Sequence, residues 1–210
     1  MKNSTKLFPI KIKENSLYNF IDNNGKVISP NLWFNNCQDF INGFAKIFIN
    51  SKGYNFIDTN GNIVSPNLWF QFCENISANG WTAIQVKNKG GNYINSKGEL
   101  LSPNLWFDEN YSIYTDIAIV RIRGKGWNFI DINGNLLSPN QWFDFDDIDY
   151  FYDNFAQVYK KQKGYNYIDI DGNLLSPNVW FDYCHRFWNG RAIVTIDSKD
   201  YFIDKNGNLS

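Results

Sequence analysis

The chain has 210 residues, of which 43% are hydrophobic and 20% charged, and its formal net charge is −1. This length suffices for one domain with a core or for a short tandem array. Near-neutrality argues against coating of nucleic acid or membranes, and no apolar run approaches the roughly 20 residues of a membrane span. Aromatic residues make up 18% of the chain, which excludes intrinsic disorder. The start of the chain carries no apolar segment, so we expect no secretory signal.

One phrase recurs along the whole sequence. In its second copy, Tyr-Asn-Phe-Ile-Asp at 54–58 is followed by Gly61 and by Ser-Pro-Asn-Leu-Trp-Phe at 65–70. The glycines that mark successive copies are Gly25, Gly61, Gly98, Gly134, Gly172 and Gly207. Their separations of 36, 37, 36, 38 and 35 residues indicate tandem repeats.

Each repeat predicts a β-hairpin followed by a returning segment. In the second copy, residues 45–50 and 54–58 are strand-like, and the glycine-containing turn between them suits a hairpin. A tight Asp-to-Gly turn then leads into a short third strand at 62–65. Ser65 and Pro66 predict one helical or 3₁₀ turn that folds the Trp-Phe pair back over the strands. The hairpin strands predicted along the chain are 45–50, 54–58, 82–87, 92–95, 117–122, 127–131, 156–160, 165–169, 191–196 and 201–204, and a degenerate first strand is predicted at 8–13.

We predict an all-β fold in which these repeats of about 36 residues stack in an open twisted array of hairpins or meanders. A single hairpin is marginal in water, whereas stacking joins the shared aromatic residues into one core. A propeller-like closed ring is the alternative. We treat residues 1–210 as a single repeat domain, with repeats at about 7–43, 44–80, 81–116, 117–154 and 155–190 and a partial repeat at 191–210.

The order of these elements resembles the WG (KWG) repeat family over about residues 7 to 210. A strand of the type Gly-x-Ala-x-Val, as at 190–194, precedes a glycine turn, an aromatic Ile-Asp strand and a further glycine. The chain departs from the family where Tyr-Asn replaces the usual Trp/Tyr-Gly, and where Ser-Pro-Asn-x-Trp-Phe replaces Pro-x-x-Tyr-Asp. The resemblance implies a bacterial or phage repeat protein and leaves its function open.

The repeated tryptophans are predicted to be core residues, because large aromatic side chains dominate the burial available to small units. This shared row comprises Trp33, Trp69, Trp106, Trp142 and Trp180. Three tryptophans lie outside the row, and we expect them to be better candidates for exposed ligand contacts: Trp81, Trp127 and Trp188.

Metal binding is not predicted. The turn aspartates imitate the start of a calcium loop, but the position of the bidentate Glu is occupied by Trp33 or Trp180 in their repeats. The chain has one His and no Cys-x-x-Cys, which argues against zinc. Its three cysteines share one repeat position, and we predict reduced, small core residues in a cytoplasmic protein. The cysteines are Cys37, Cys73 and Cys184, replaced by Asn110 and Asp146 in the other repeats.

Two charged features have two interpretations each. Lysines at the hairpin turns, on the edge opposite the Asp turns, either keep the hairpin tips soluble or form a basic ridge for an anionic ligand. The acidic run from Asp144 to Asp153 is either a solvated connecting loop or a lip that contacts a partner. The turn lysines are Lys52, Lys89, Lys125 and Lys163.

We find no catalytic motif, and Cys184 and His185 are expected to point to opposite faces of one strand. The sequence therefore predicts a protein that is not an enzyme and uses no cofactor. We expect a binding or scaffold module that engages a protein partner or self-associates, with no membrane or nucleic-acid partner. The alternative is a binding or sequestering protein for a sugar or a small anionic, nucleotide-like ligand.

Residues that depart from the repeat consensus are the candidate binding residues, because consensus residues serve stacking. The two arginines at 121 and 123 have the spacing of a phosphate clamp on one strand face. Arginine suits bidentate contacts with phosphate or carboxylate, and it occurs at only four positions of this chain. The candidate set is Arg121, Arg123, Tyr114, His185, Arg186, Trp188 and Arg191.

Overall fold

In a computed structural model of the chain, the residues described are 8–11, 16–22, 24–144 and 148–210. These residues form sixteen β-strands, and no helix occurs among them. The chain divides into two compact units, Met1–Trp106 and Phe107–Ser210, called unit 1 and unit 2 below. The prediction of an all-β chain of tandem hairpin repeats is confirmed.

Unit 1 contains three antiparallel sheets, ordered β1-β2, β3-β4-β5 and β6-β7-β8. Unit 2 contains three more, ordered β9-β10-β11, β12-β13 and β14-β15-β16. The strands of unit 1 are β1 (Phe8–Lys11), β2 (Tyr18–Ile21), β3 (Asn36–Cys37), β4 (Phe44–Ile49), β5 (Gly53–Asp58), β6 (Phe72–Cys73), β7 (Trp81–Val86) and β8 (Gly90–Asn95). Those of unit 2 are β9 (Glu109–Asn110), β10 (Ile117–Ile122), β11 (Gly126–Asp131), β12 (Phe155–Lys160), β13 (Gly164–Asp169), β14 (Tyr183–Cys184), β15 (Arg191–Ile196) and β16 (Lys199–Asp204).

The hairpins share one register. Ala45 pairs with Ile57 in β4-β5, and Ala156 pairs with Ile168 in β12-β13. All four of these side chains are buried, because residues directly opposite each other in an antiparallel pair have their side chains on the same face of the sheet. The predicted hairpin strands are confirmed to within two residues. The end of the predicted first strand, at 12–13, lies outside the described residues.

The third strand lies elsewhere than predicted. Ile63 makes only an isolated bridge to Ile57. The segment after Ser65 forms a single turn, as predicted, in which the Leu68 N–H donates to the Ser65 carbonyl at 3.2 Å with the spacing of a 3₁₀-type turn. The third strand is instead β6, which precedes its hairpin and pairs with β7. A strand of two residues is too short to show alternation, so periodicity does not reveal it.

The returning segment pairs with the hairpin as expected, but its fully buried residue is Phe instead of Trp. Backbone N–H groups of Tyr54 and Phe70 donate to each other's carbonyls at 2.8 and 2.9 Å. Phe70 is buried, whereas Trp69 is only half-buried, and every tryptophan of the shared row is half-buried too. The prediction of a tryptophan core is therefore confirmed only in part, because Trp69, Trp106 and Trp180 pack against the core without being fully buried. Since neighbouring residues of an extended segment point in opposite directions, only the phenylalanine of each pair is completely enclosed.

A buried asparagine holds the returning segment in every full repeat. The Asn55 side-chain amide donates to the carbonyls of Ser65 and Leu68 at 2.7 and 3.1 Å. Its Oδ1 accepts the backbone N–H groups of Phe56 and Ser65 at 2.8 and 3.2 Å. This network explains why Asn occupies this position in each full repeat. The equivalent buried residues are Asn19, Asn92, Asn128 and Asn166.

Successive repeats approach each other through the shared glycines. A Cβ atom added to Gly61 would lie 2.0 Å from the carbonyl oxygen of Ile28 in the preceding repeat. The same contact recurs at Gly172, where the added atom would lie 1.9 Å from the Leu137 oxygen. Both glycines also have positive φ angles of 88°. Glycine is thus required twice, by backbone conformation and by close packing.

The shared cysteine position lies on the short strands. Cys37 is on β3, Cys73 on β6 and Cys184 on β14, and all three are free thiols. Burial raises the pKa of Cys73 and Cys184 to about 12. These two thiols are core residues, as predicted, whereas Cys37 is half-buried. The equivalent Asp146 lies outside the described residues.

Candidate functional site

Arg121 lies on β10 beside a carboxylate of its own repeat. Its guanidinium forms an ion pair with Glu109 on the neighbouring strand β9, and it lies 5.6 Å from the ring centroid of Trp127. Trp127 is buried. The expectation that Trp127 is an exposed ligand contact is therefore wrong, because the arginine covers it and the strand pairs it with Phe143.

Arg123 lies beyond the end of β10, at the tip of the hairpin. Its side chain is 86% exposed, and its Nε is 3.7 Å from Asp108. The backbone N–H of Arg123 donates to the same carboxylate at 2.5 Å. The two arginines thus face separate carboxylates, and this geometry does not favour a shared phosphate clamp.

A second group of candidates lies on successive turns of unit 2. Tyr114, Tyr152 and Trp188 each precede a two-residue turn that leads into the first strand of a hairpin, where they bridge Ile117, Phe155 and Arg191. The three side chains are 59%, 37% and 78% exposed. Large aromatic residues at one exposed position of three consecutive repeats are not required for stacking.

Side-chain contacts join these turns into a surface that we call the aromatic strip, comprising Tyr114, Tyr150, Tyr152, Arg186 and Trp188. The rings of Tyr114 and Tyr150 meet edge to face at 5.5 Å. The Arg186 guanidinium lies 4.6 Å from the Tyr152 ring centroid. Each contact connects one repeat to the next.

The acidic run contributes to this surface by holding the repeats together. Asp149 Oδ2 accepts a hydrogen bond from Arg186 Nε at 2.5 Å. Asp153 accepts the backbone N–H of Gly190 at 2.6 Å and pairs with Lys205 at 3.1 Å. The described part of the run therefore anchors the following repeat. Three of its members lie outside the described residues: Phe145, Asp146 and Asp147.

Replacement of Asp153 by Asn is expected to lower stability only above acidic pH. Hydrogen bonds from Gly190 and Lys205 hold the pKa of Asp153 below its usual value of 3.8. A carboxyl whose pKa is lower in the folded state stabilises the protein above the unfolded pKa and loses this effect as the pH falls through the folded pKa.

Thermal melts of the wild type and of Asp153→Asn between neutral pH and about pH 3 measure this effect. The gap in Tm is expected to close at the acidic end. Asp171→Asn, at an exposed turn position, is the control and is expected to give a smaller gap. A gap of constant size at every pH contradicts the assigned role of the Asp153 charge.

His185 and Arg186 also border an open groove of about 460 Å³ with Asp149, Gln157 and Tyr183. The His185 ring meets Tyr183 edge to face at 5.0 Å. Cys184 is buried while His185 is exposed, and burial raises the pKa of the thiol. The two side chains therefore do not form a nucleophile and base.

Arg191 and the turn aspartates lie among the backbone groups of their own hairpins. Arg191 is exposed at the start of β15, in register with Asp204 of β16. The Asp58 carboxylate accepts the backbone N–H groups of Asn60 and Asn62 at 2.9 and 2.8 Å, which is the predicted use of Asp in the turn.

Within the described ranges, no three His, Cys, Asp or Glu side chains are grouped to hold a metal ion. No helix able to cross a membrane occurs in those ranges either.

Sequence reasoning thus identified three members of the aromatic strip, Tyr114, Arg186 and Trp188. Tyr150 and Tyr152 lie within the acidic run from Asp144 to Asp153, for which a partner-contacting lip was one of the two interpretations, but they were not assigned to a site. The sequence signal for them is the alternation of aromatic and acidic residues in this run. Arg121, Arg123, His185 and Arg191 lie outside the strip.

The sequence matches no family model. A search of curated proteins found no match either. Solved structures similar to this chain include the computationally designed Ika8 protein, with 10% identity over 99% of this chain and 86% of that chain at a TM-score of 0.32. BamB from Moraxella catarrhalis has 9% identity over 100% and 73% of the two chains at a TM-score of 0.35. The WD40 β-propeller domain of Doa1 has 12% identity over 90% and 70% at a TM-score of 0.33. The function of this chain must therefore be argued from its own residues.

Proposed function

We propose that this chain is a non-enzymatic repeat scaffold that binds a protein partner through the aromatic strip. The observation that carries the proposal is the exposure of Trp188, 78%, at the end of a row of exposed aromatic side chains. Trp, Tyr and Arg are the residues that most often dominate the energy of protein interfaces. Exposing large apolar side chains in a contiguous group typically marks an interaction site.

The charge of the strip indicates the kind of partner surface that fits it. Arg186 is paired with Asp149 in the free protein, so the strip presents aromatic rings and a neutralised ion pair. A partner with an apolar groove that receives Trp188, bordered by hydrogen-bonding groups for the tyrosine hydroxyls, would be complementary.

A small ligand is the second candidate, supported by the groove beside His185. That groove is open and lined mostly by polar side chains, whereas small-molecule sites are typically concave and mostly apolar. This comparison favours the protein partner. The WG-type assignment, the absence of catalysis and the cytoplasmic localisation stay predictions, which the hairpin order and the buried, protonated thiols support.

Selection from a displayed peptide library tests the proposal, with the full chain as bait. Peptides enriched on the wild type are expected to lose about tenfold or more in affinity for Trp188→Ala, because an aromatic side chain that a partner buries can contribute about 2 kcal/mol or more to binding. Phe72→Ala is the matched control, since Phe72 is an exposed aromatic residue of unit 1 outside the strip.

A thermal-shift screen with sugars and nucleotides distinguishes the second candidate. A ligand that raises Tm by several degrees in the wild type but not in Trp188→Ala or in His185→Ala would show that the protein binds a small ligand instead of a protein partner. Enriched peptides that bind Trp188→Ala as tightly as the wild type would exclude the strip as the binding surface.

A further inference from the structure

Two of the three hairpin tips of unit 2 carry a pair of cations two residues apart, whereas the tip between β15 and β16 consists of Asp197 and Ser198. Arg123 and Lys125 occupy the tip between β10 and β11, and Lys161 and Lys163 occupy the tip between β12 and β13. All four side chains are on exposed residues. Unit 1 has the same arrangement at one tip, with Lys87 and Lys89. The aromatic strip lies at the other end of the hairpins, so the tips form a separate surface.

The second cation of each pair lies over a tryptophan of the shared row. Lys125 Nζ is 5.6 Å from the ring centroid of Trp142, and Lys163 Nζ is 5.5 Å from that of Trp180. The same pair recurs in unit 1, as Lys52 with Trp69 and Lys89 with Trp106. Attraction between an ammonium group and an indole ring holds each lysine in place. In these four repeats, the face of the indole that lies outside the core thus contacts a lysine.

Three lysines lie close together at the tip between β12 and β13: Lys160, Lys161 and Lys163. Burial and the nearby Lys163 lower the pKa of Lys160, against the opposing effect of Asp144. The Asp144 carboxylate also accepts the backbone N–H of Lys161 at 2.7 Å, as Asp108 accepts that of Arg123. The acidic groups at these tips thus accept backbone N–H groups, and Asp108 also pairs with the Arg123 side chain, whereas Lys125, Lys161 and Lys163 are exposed.

The opposite ends of the hairpins carry acidic turns, at Asp131, Asp169 and Asp204. Among the described residues, each of the two cationic tips holds one carboxylate, Asp108 at the first and Asp144 at the second, beside at least two cations. Such clustering gives a local positive potential that the net charge of −1 does not reveal. We propose that the tip edge of unit 2 binds an acidic polypeptide segment, whose carboxylates contact the paired cations.

The chemistry of the tips favours carboxylates on a polypeptide over a nucleic acid. Binding of single-stranded nucleic acid uses open aromatic faces on which bases stack, and here ammonium groups cover the indoles. Three of the four cations are lysines, which act as point charges, whereas bidentate phosphate recognition favours arginine. Flexible glutamate or aspartate side chains can reach such separated point charges.

Fluorescence anisotropy with labelled poly-L-glutamate tests this proposal on the full chain. The variant Lys125→Gln with Lys163→Gln is expected to weaken binding about tenfold at low ionic strength, and binding by all variants is expected to fall steeply near 0.15 M salt, where the screening length is about 8 Å. The control Lys26→Gln with Lys97→Gln removes the same charge from exposed lysines in two turns of unit 1 and is expected to retain wild-type affinity. Lys125→Arg with Lys163→Arg keeps the charge and the ring contacts, and it is also expected to bind.

Equal losses in the tip and turn variants would overturn the proposal, because net charge alone would then explain binding. Tighter binding of an oligothymidylate or of a sulfated polysaccharide than of poly-L-glutamate would also overturn it. The thermal melt of each variant establishes that a loss of binding does not arise from unfolding, and the charge-conserving pair shows that the loss follows the charge. None of these results depends on the aromatic strip.

Discussion

Replacement of Asn55 by Ala is expected to lower the free energy of unfolding by about 3 kcal/mol or more, because buried polar groups left without partners cost about 1–3 kcal/mol each. The Asn55 side chain is fully buried and makes four hydrogen bonds to backbone. Its loss leaves the carbonyls of Ser65 and Leu68 without these donors. The segment that carries Trp69 and Phe70 is then no longer held against the hairpin.

Chemical denaturation of the full chain measures this effect. Asn67→Ala is the matched control, because Asn67 lies in the segment that Asn55 holds but is itself exposed. We expect its free energy of unfolding to change by less than about 0.5 kcal/mol. Similar values for the two variants would show that the asparagine network is not what holds the segment.

Gly61→Ala is expected to destabilise the protein by roughly 3 kcal/mol, through backbone strain together with overpacking. A Cβ atom at this position would lie 2.0 Å from the Ile28 oxygen. Because that oxygen belongs to backbone, the clash can be relieved only by moving two repeats apart. The φ angle of 88° adds the strain that any L-residue experiences there.

Gly25→Ala separates these two contributions. Gly25 occupies the same repeat position with a φ of 78°, but nothing lies within 4 Å of its added Cβ. This variant therefore experiences the backbone strain alone, and we expect a loss of about 1–2 kcal/mol. If denaturation gives the same loss for both variants, the contact with Ile28 does not determine the packing of the repeats.

The elements that the sequence predicts well are those whose signal is local. Alternation over six residues located both strands of each hairpin, and Asp with Gly located the turns. The strands of two residues, such as β6, have no such signal, because their pairing partner lies beyond an intervening turn. The burial of Phe70 in place of Trp69 depends on the direction of each side chain in the returning segment, which composition does not reveal.

In the candidate site too, residues with a local sequence signal were predicted and residues defined by contacts between repeats were not. Trp188 and Arg186 were found because they depart from the repeat consensus. Tyr150 and Tyr152 belong to the strip because Tyr114 and Arg186 reach them from neighbouring repeats. Such contacts join residues more than 30 positions apart, and spacing within one repeat does not predict them. Arg121 departs from the consensus as well, yet its ion pair with Glu109 makes it part of its own sheet.

The asparagine network also bears on how the chain folds. Its hydrogen bonds in each repeat join residues at most 13 positions apart. Each repeat can thus close its own returning segment before any neighbour is in place, so little loop-closure entropy opposes the first step. Chains with mainly local contacts fold fast for their size. In a repeat array, structure formed at any one unit can then propagate to its neighbours in either direction.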